Sequence, residues 1–113
     1  MAVDFTIKQH DQLPELVATL TDALSDVVNV TGATVRFIMT NKATTIKVLD
    51  VPATVVDAPA GIVKYTWQDG DTDVAATYNA EFEVKFSDGR VESFPNSKYI
   101  AIKVFADLGG IGV

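Results

Sequence analysis

The sequence predicts an all-β protein, a sandwich of two antiparallel sheets built from seven to nine short strands. Three observations carry this. From Ala76 to Phe86, the residues Tyr78, Ala80, Phe82, Val84 and Phe86 alternate strictly with Asn79, Glu81, Glu83 and Lys85, the period of two that a strand with one wet face requires. Asp88-Gly89 follows at once, and Arg90 to Phe94 resumes in strand-like residues, so the chain turns back on itself as a hairpin. Similar short alternations recur along the chain with turn residues between them, the spacing expected of stacked antiparallel sheets.

Taken in order, Phe5 and Ile7 alternate with Thr6 and Lys8, a first strand that ends near His10-Asp11. Leu13, Leu16, Ala18 and Leu20 form the next apolar row, with Pro14 near its start, where a strand tolerates a missing N–H. Leu16, Leu20, Leu24 and Val27 also fit a helical spacing, but Val17, Thr19 and Thr21 favour strand, with a loop over Ser25-Asp26. After Thr31-Gly32, Ala33 to Thr40 is a half-buried strand with Val35, Phe37 and Met39 on one face and Thr34, Arg36 and Ile38 on the other. Asn41-Lys42 reads as a turn. Thr45 to Leu49 reads as a strand, paired either with Ala53 to Val56 or with the strand before it. Asp57 to Gly61 is a loop by composition, and Ile62 to Trp67 a strand with Val63, Tyr65 and Trp67 inward. Trp67, the single tryptophan, is large enough to be a main core filler. Past the hairpin, Pro95-Asn96-Ser97 is a turn and Tyr99 to Phe105 the last strand, with Ile100, Ile102 and Val104 inward.

Ala75-Ala76-Thr77-Tyr78, ahead of the longest alternating run, suits a tyrosine corner, in which the hydroxyl bonds to backbone upstream in an immunoglobulin-like sandwich. Val74 stands where that pattern often has an acidic residue.

Composition bounds the remaining possibilities. A length of 113 residues with a hydrophobic fraction of 48% makes one ordered domain. It is expected to span residues 1–107, followed by a flexible glycine-rich tail over 108–113. Nine basic against fifteen acidic residues give a net charge of -6, which repels phosphate backbones and anionic lipid and makes nucleic acid and membrane poor partners. Cysteine is absent, so neither disulfides nor thiolate metal sites contribute. The first residues, Met1 to Thr6, carry neither a basic nor an apolar leader segment, as expected of a protein made and kept in a cytosol or assembled there.

Few residues point to chemistry. Asp69, Asp71 and Asp73 are spaced like the first oxygen ligands of a calcium loop, with Gly70 for the bend, but the twelfth position, where a bidentate Glu belongs, is Ala80. The loop therefore reads as a solvated turn. His10, the single histidine, stands beside Asp11 and reads as a surface residue at a strand end. No nucleophile elbow accompanies it. Glu81 and Glu83 lie roughly 7 Å apart along one strand, a spacing open to a carboxylate pair, yet Lys85 completes an ordinary solvated stripe. Asn29-Val30-Thr31 matches a glycosylation sequon by coincidence. No catalytic set, cofactor motif or complete metal site is visible, which disfavours an enzyme. Large apolar groups on predicted outer faces are more telling: Ile38, Tyr99 and Phe105, with Ile111 and Val113 in the tail, are what a subunit of a larger assembly carries. The rival reading is a glycan-binding module stacking sugars on Tyr99, Phe94 and Trp67.

Several segments fall in an order seen in one family. They are Phe5-Thr6-Ile7-Lys8-Gln9, Leu13-Pro14, Leu16-x-Ala18-Thr19-Leu20, Val30 to Met39, Gly61-x-Val63-x-Tyr65-x-Trp67, Asp71-Thr72, Tyr78-x-Ala80-Glu81-Phe82-Glu83-Val84, and Asp88-Gly89 with Pro95. From Phe5 to about Phe105 the chain resembles the immunoglobulin-like N-terminal domain of the phage baseplate upper protein family. The resemblance implies a β-sandwich attachment module of a virion, in tail, baseplate, fibre or capsid exterior, assembled in the host cytoplasm. It further implies other virion proteins as partners, a multi-copy or homo-oligomeric arrangement, and no catalytic residues. Two departures stand out. Ala76 replaces a glycine common two residues before the tyrosine, and the chain ends where the family's fibre part would begin. An accessory, decoration or adaptor subunit is therefore expected.

Overall fold

In the computed structural model, which describes residues 4–108, the chain forms nine strands and, among those residues, no helix. They are β1 (Asp4–Lys8), β2 (Leu16–Thr19), β3 (Thr34–Asn41), β4 (Lys47–Pro52), β5 (Thr54–Asp57), β6 (Ile62–Tyr65), β7 (Ala76–Lys85), β8 (Val91–Phe94) and β9 (Ile100–Phe105). A six-stranded sheet runs β1-β9-β7-β3-β4 with β8 also on β7, and a three-stranded sheet runs β2-β6-β5. The two pack as the predicted sandwich.

The alternating stretch is the spine of the larger sheet. One edge of β7 pairs with β3 from Thr34 to Asn41. Its other edge serves two partners, β9 along Ala76 to Ala80 and β8 along Phe82 to Lys85. Its inward residues Tyr78, Ala80, Phe82 and Val84 are buried, while Asn79, Glu81 and Glu83 on the other face are only partly covered. Opposite them, Leu16, Ala18, Val63 and Tyr65 of the small sheet are buried as well.

Aromatic rings join the layers. Phe37, fully buried, stacks on Tyr65 across the sandwich with ring centres 4.6 Å apart and planes at 14°. Trp67 meets Phe37 edge-on at 5.8 Å and Phe82 lies 5.3 Å away. Such offset and edge-to-face pairs are favourable beyond the area they bury. Trp67 is thus the core filler its parity predicts, although β6 ends two residues before it. Among the described residues its Nε1 has no hydrogen-bond partner, and the ring is held by its packing against Phe5, Phe37 and Tyr65. The tyrosine corner is present too: the Tyr78 hydroxyl donates to the Val74 carbonyl at 2.7 Å.

The fold departs from the sequence reading in four places. β1 pairs with β9 in parallel, so the larger sheet is not antiparallel throughout. The next strand, β2, belongs to the other sheet, which leaves the last strand as the neighbour of β1. β4 starts at Lys47 rather than Thr45, because the Asn41 side chain accepts from the amides of Ala43 and Thr44, and Thr45 takes a φ of 58°; β4 pairs with the strand before it, β3. Leu13, expected in the apolar row, is exposed ahead of β2. Phe94, offered as a surface aromatic, is fully buried because its register partner is the inward Phe82.

Two glycines with positive φ, one crowded and one open, test this packing. Gly61 has a φ of 69°, and a Cβ there would sit 2.5 Å from the Val28 carbonyl oxygen; Gly89 has a φ of 90° but open space around it. Gly89→Ala should cost roughly 1 kcal/mol from backbone conformation, and Gly61→Ala a further ~1–3 kcal/mol from the clash, both read by urea denaturation. Phe37→Ala should cost about 3–5 kcal/mol, a large part of the roughly 5–15 kcal/mol typical of whole domains. Equal losses at the two glycines would contradict the packing described.

Candidate docking surfaces

The outer face of the larger sheet is charged. Register places Glu81 and Asp50 on either side of Ile38, and Glu83 and Pro52 on either side of Arg36. Arg36 Nε donates to Asp50 Oδ1 at 2.8 Å, and Lys47 Nζ to Asp50 Oδ2 at 2.9 Å. These contacts hold the Asp50 carboxyl below the usual carboxylate range, the Lys47 hydrogen bond contributing most and that of Arg36 next. On the small sheet, the Thr66 hydroxyl and then Lys64 do the same for Glu15. Ile38 is therefore partly covered and flanked by two carboxylates, a setting that offers no continuous apolar patch around it.

One end of the sandwich is laced together by polar contacts. It is the end where β1, β3 and β9 finish and β7 starts. There Gln9 Nε2 donates to the Asp73 carbonyl at 3.0 Å, the His10 amide to Thr72 O at 3.2 Å, and the Thr72 hydroxyl to Asp11 O at 2.9 Å. His10 Nδ1 lies 3.0 Å from Asp73 Oδ1, so its carboxylate partner is Asp73 and not the neighbouring Asp11, and its side chain is largely covered. Asp71 turns inward instead: its Oδ2 accepts from the Tyr65 hydroxyl and from the Gln68 amide at 2.8 Å. Burial first, and the adjoining Asp71 carboxylate second, push the Tyr65 hydroxyl far above its ordinary value. Asp69, Asp71 and Asp73 therefore do not converge. Among the described residues, no group of three or more acidic or histidine side chains could hold a metal ion.

The apolar candidates are unequally placed. Tyr99 is 58% exposed in the connection before β9, and Phe105 is 42% exposed at the end of that strand, with Lys103 Nζ 4.7 Å above its ring. Ile111 and Val113 lie outside the described residues. Other exposed apolar groups also lie at the laced end. Val48 and Val74, which the sequence does not single out, line one hollow of about 150 Å³ beside Gly70 and Asp71, and Leu13 joins Phe105 in lining an open groove of about 440 Å³ along β1. Their only sequence signal is a large apolar side chain beside a turn, which core residues share. With Trp67 and Phe94 both buried, the glycan-stacking surface is reduced to Tyr99.

Comparison with known proteins gives this surface a context. The model of a protein family described as the BppU N-terminal domain matches residues 3–101. No curated protein matches the chain. Among solved structures, the N-terminal domain of ORF48 of phage TP901-1 superposes with a TM-score of 0.62 at 18% identity, covering 93% of this chain and 85% of that one. CopC from Methylosinus trichosporium OB3b superposes with a TM-score of 0.53 at 10% identity, covering 93% and 86%. At these identities the two structures speak to the fold.

The charge pattern sets a pH window. Glu15 and Asp50 titrate lower in the folded chain than unfolded, so their contribution is complete above the unfolded values of about 4 and is lost as pH falls below them. Tyr65 and Tyr78, raised by burial, contribute fully below about pH 10 and lose that contribution as pH rises further. The melting temperature should be flat between about pH 5 and about pH 9 and fall on both sides. A melting temperature still rising between about pH 9 and about pH 11 would contradict the tyrosine assignment.

Proposed function

The chain belongs to the family of the BppU N-terminal domain, the phage baseplate upper protein domain, and on that premise we propose that it is a non-enzymatic docking subunit of the virion. Family membership gives it a structural role in a phage tail or baseplate, and hence a place in the particle. The finer reading is that the sandwich acts as an accessory or adaptor, holding other virion proteins through its sheet edges and through apolar side chains that its own core leaves uncovered.

The family match along residues 3–101 carries this reading. The physical support is the form of the domain. An open sandwich presents unpaired strand edges whose N–H and C=O groups are ready to pair. Tyr99, Phe105, Leu13 and Val74 expose apolar area next to backbone that the core aromatics and the polar lacing hold in place. A pre-ordered surface of this kind binds without first having to fold. Its net charge of -6 directs it to protein partners with neutral or basic faces rather than to nucleic acid.

Lysines beside these groups make the reading testable within the particle. Lys98 adjoins Tyr99, Lys103 covers Phe105, and Lys8 is the register partner of Phe105. Amine cross-linking of purified phage, read by mass spectrometry, should join Lys98, Lys103 or Lys8 to other tail or baseplate proteins. Cross-links confined to this chain, in particles that contain it, would count against docking through this face.

A further inference from the structure

The open edges of the two sheets are not equivalent. β4 carries the Arg36–Asp50–Lys47 network, a register shift between Met39 and Thr40, and Pro52. β5 is four residues long with an irregularity after Val55, β2 is four residues long, and β8 is four residues long and runs into Pro95. Short length, bulges, charge clusters and prolines are the devices that keep an edge from recruiting another strand. β1 has no proline and no bulge, and pairs with β9 in unbroken register from Asp4 to Lys8. Along it lies the open groove lined by Thr6, Lys8 and Leu13.

Its backbone is turned to suit a partner. The amide of Gln9 donates to Phe105 O at 2.8 Å. By the alternation of a parallel ladder, Phe5 and Ile7 therefore direct their backbone groups to β9, and those of Asp4, Thr6 and Lys8 face the open side. On that side the Lys8 carbonyl accepts from the Asp11 amide at a long 3.2 Å. The side chains of Asp4, Thr6 and Lys8 are exposed, Phe5 is half-buried and Ile7 is buried.

The strand is also complementary to its own reverse. Antiparallel to itself about Thr6, Asp-Phe-Thr-Ile-Lys places Asp4 opposite Lys8, Phe5 opposite Ile7, and Thr6 opposite Thr6. Opposite charges, an aromatic with a β-branched residue, and paired threonines are each favourable cross-strand neighbours. Parallel self-pairing would instead set Asp4 against Asp4 and Lys8 against Lys8. The charges that guard this edge against other strands thus fit a second copy in one orientation.

We infer that β1 is a self-docking edge, which pairs antiparallel with β1 of a second copy of this chain across a twofold axis at Thr6. The backbone amides and carbonyls of Asp4 and Thr6 and the amide of Lys8 make the seam, with the Lys8 carbonyl shared with the Asp11 amide, and the two larger sheets join edge to edge. Such an interface is isologous and closes on itself, so it yields a dimer and not a fibre. The inference holds whichever part of the particle the chain occupies.

Sedimentation equilibrium of the full chain over rising concentration is the test. The wild-type chain should dimerise. Thr6→Pro, whose ring nitrogen would face away from β9, should keep the melting temperature and circular dichroism of the wild type and abolish the dimer. Asp4→Lys and Lys8→Asp should each weaken dimerisation about tenfold, by setting like charges opposite each other. The double variant Asp4→Lys/Lys8→Asp should recover most of the loss, because the pairs are restored with their signs exchanged. A chain that stays monomeric at millimolar concentration overturns the inference. So does a dimer that the proline and both charge reversals leave intact, or a double variant as weak as the singles.

Discussion

Phe37 stacks on Tyr65 across the gap between the sheets, with Trp67 and Phe82 against its other sides. The rest of the structure depends on this junction. Each sheet has one apolar face and is unstable alone, so the two must bury those faces against each other. The aromatic group sets their separation and alignment. β3 and β7 contribute Phe37 and Phe82 from the same register position, and the chain beyond β6 brings Trp67 back over them. The tyrosine corner and the Asp71–Tyr65 contact then fix the loops beside this junction, so that the polar ends of buried tyrosines are satisfied where the rings leave the core.

Closing a core this way leaves the edges open. A sandwich buries faces, unlike a closed barrel, and its outermost strands keep a row of unpaired backbone groups. Here most edges are short, bulged, charged or interrupted by proline, whereas β1 is regular along its whole length. Of the exposed apolar side chains, Leu13, Val74 and Phe105 lie at the end where β1 and β9 finish, while others such as Val17, Val56, Val91 and Tyr99 lie elsewhere. For the docking role proposed above, a core of fixed geometry and a restricted choice of open edge are the physical requirements. Residues inside the sandwich supply the first and those at its rim the second.

What could be read from the sequence follows from which forces act locally. β3, β7 and the hairpin to β8 are legible because strict alternation and Asp88-Gly89 are properties of neighbouring residues. The burial of Trp67 and the hydroxyl contact of Tyr78 are legible because parity and a short motif announce them. The parallel partnership of β1 and β9 is not, since it joins opposite ends of the chain. The burial of Phe94 is not legible either, because its environment is set by Phe82 on the neighbouring strand rather than by its own surroundings in sequence. The late start of β4 depends on Asn41 capping the turn, a role that a turn-forming residue does not declare. The acidic loop reads from its sequence as a solvated turn, and what that reading does not reveal is that Asp71 and Asp73 are committed to Tyr65 and His10. Those partners come together only after the loop has closed over the core.

Imaging intact phage particles at subunit resolution tests the structural account most directly. Density fitting this sandwich should stand in the tail or baseplate, with neighbouring subunits along its open strand edges and the Phe37–Tyr65–Trp67 junction intact inside it. Particles complete in every tail and baseplate component but lacking this density would contradict the account.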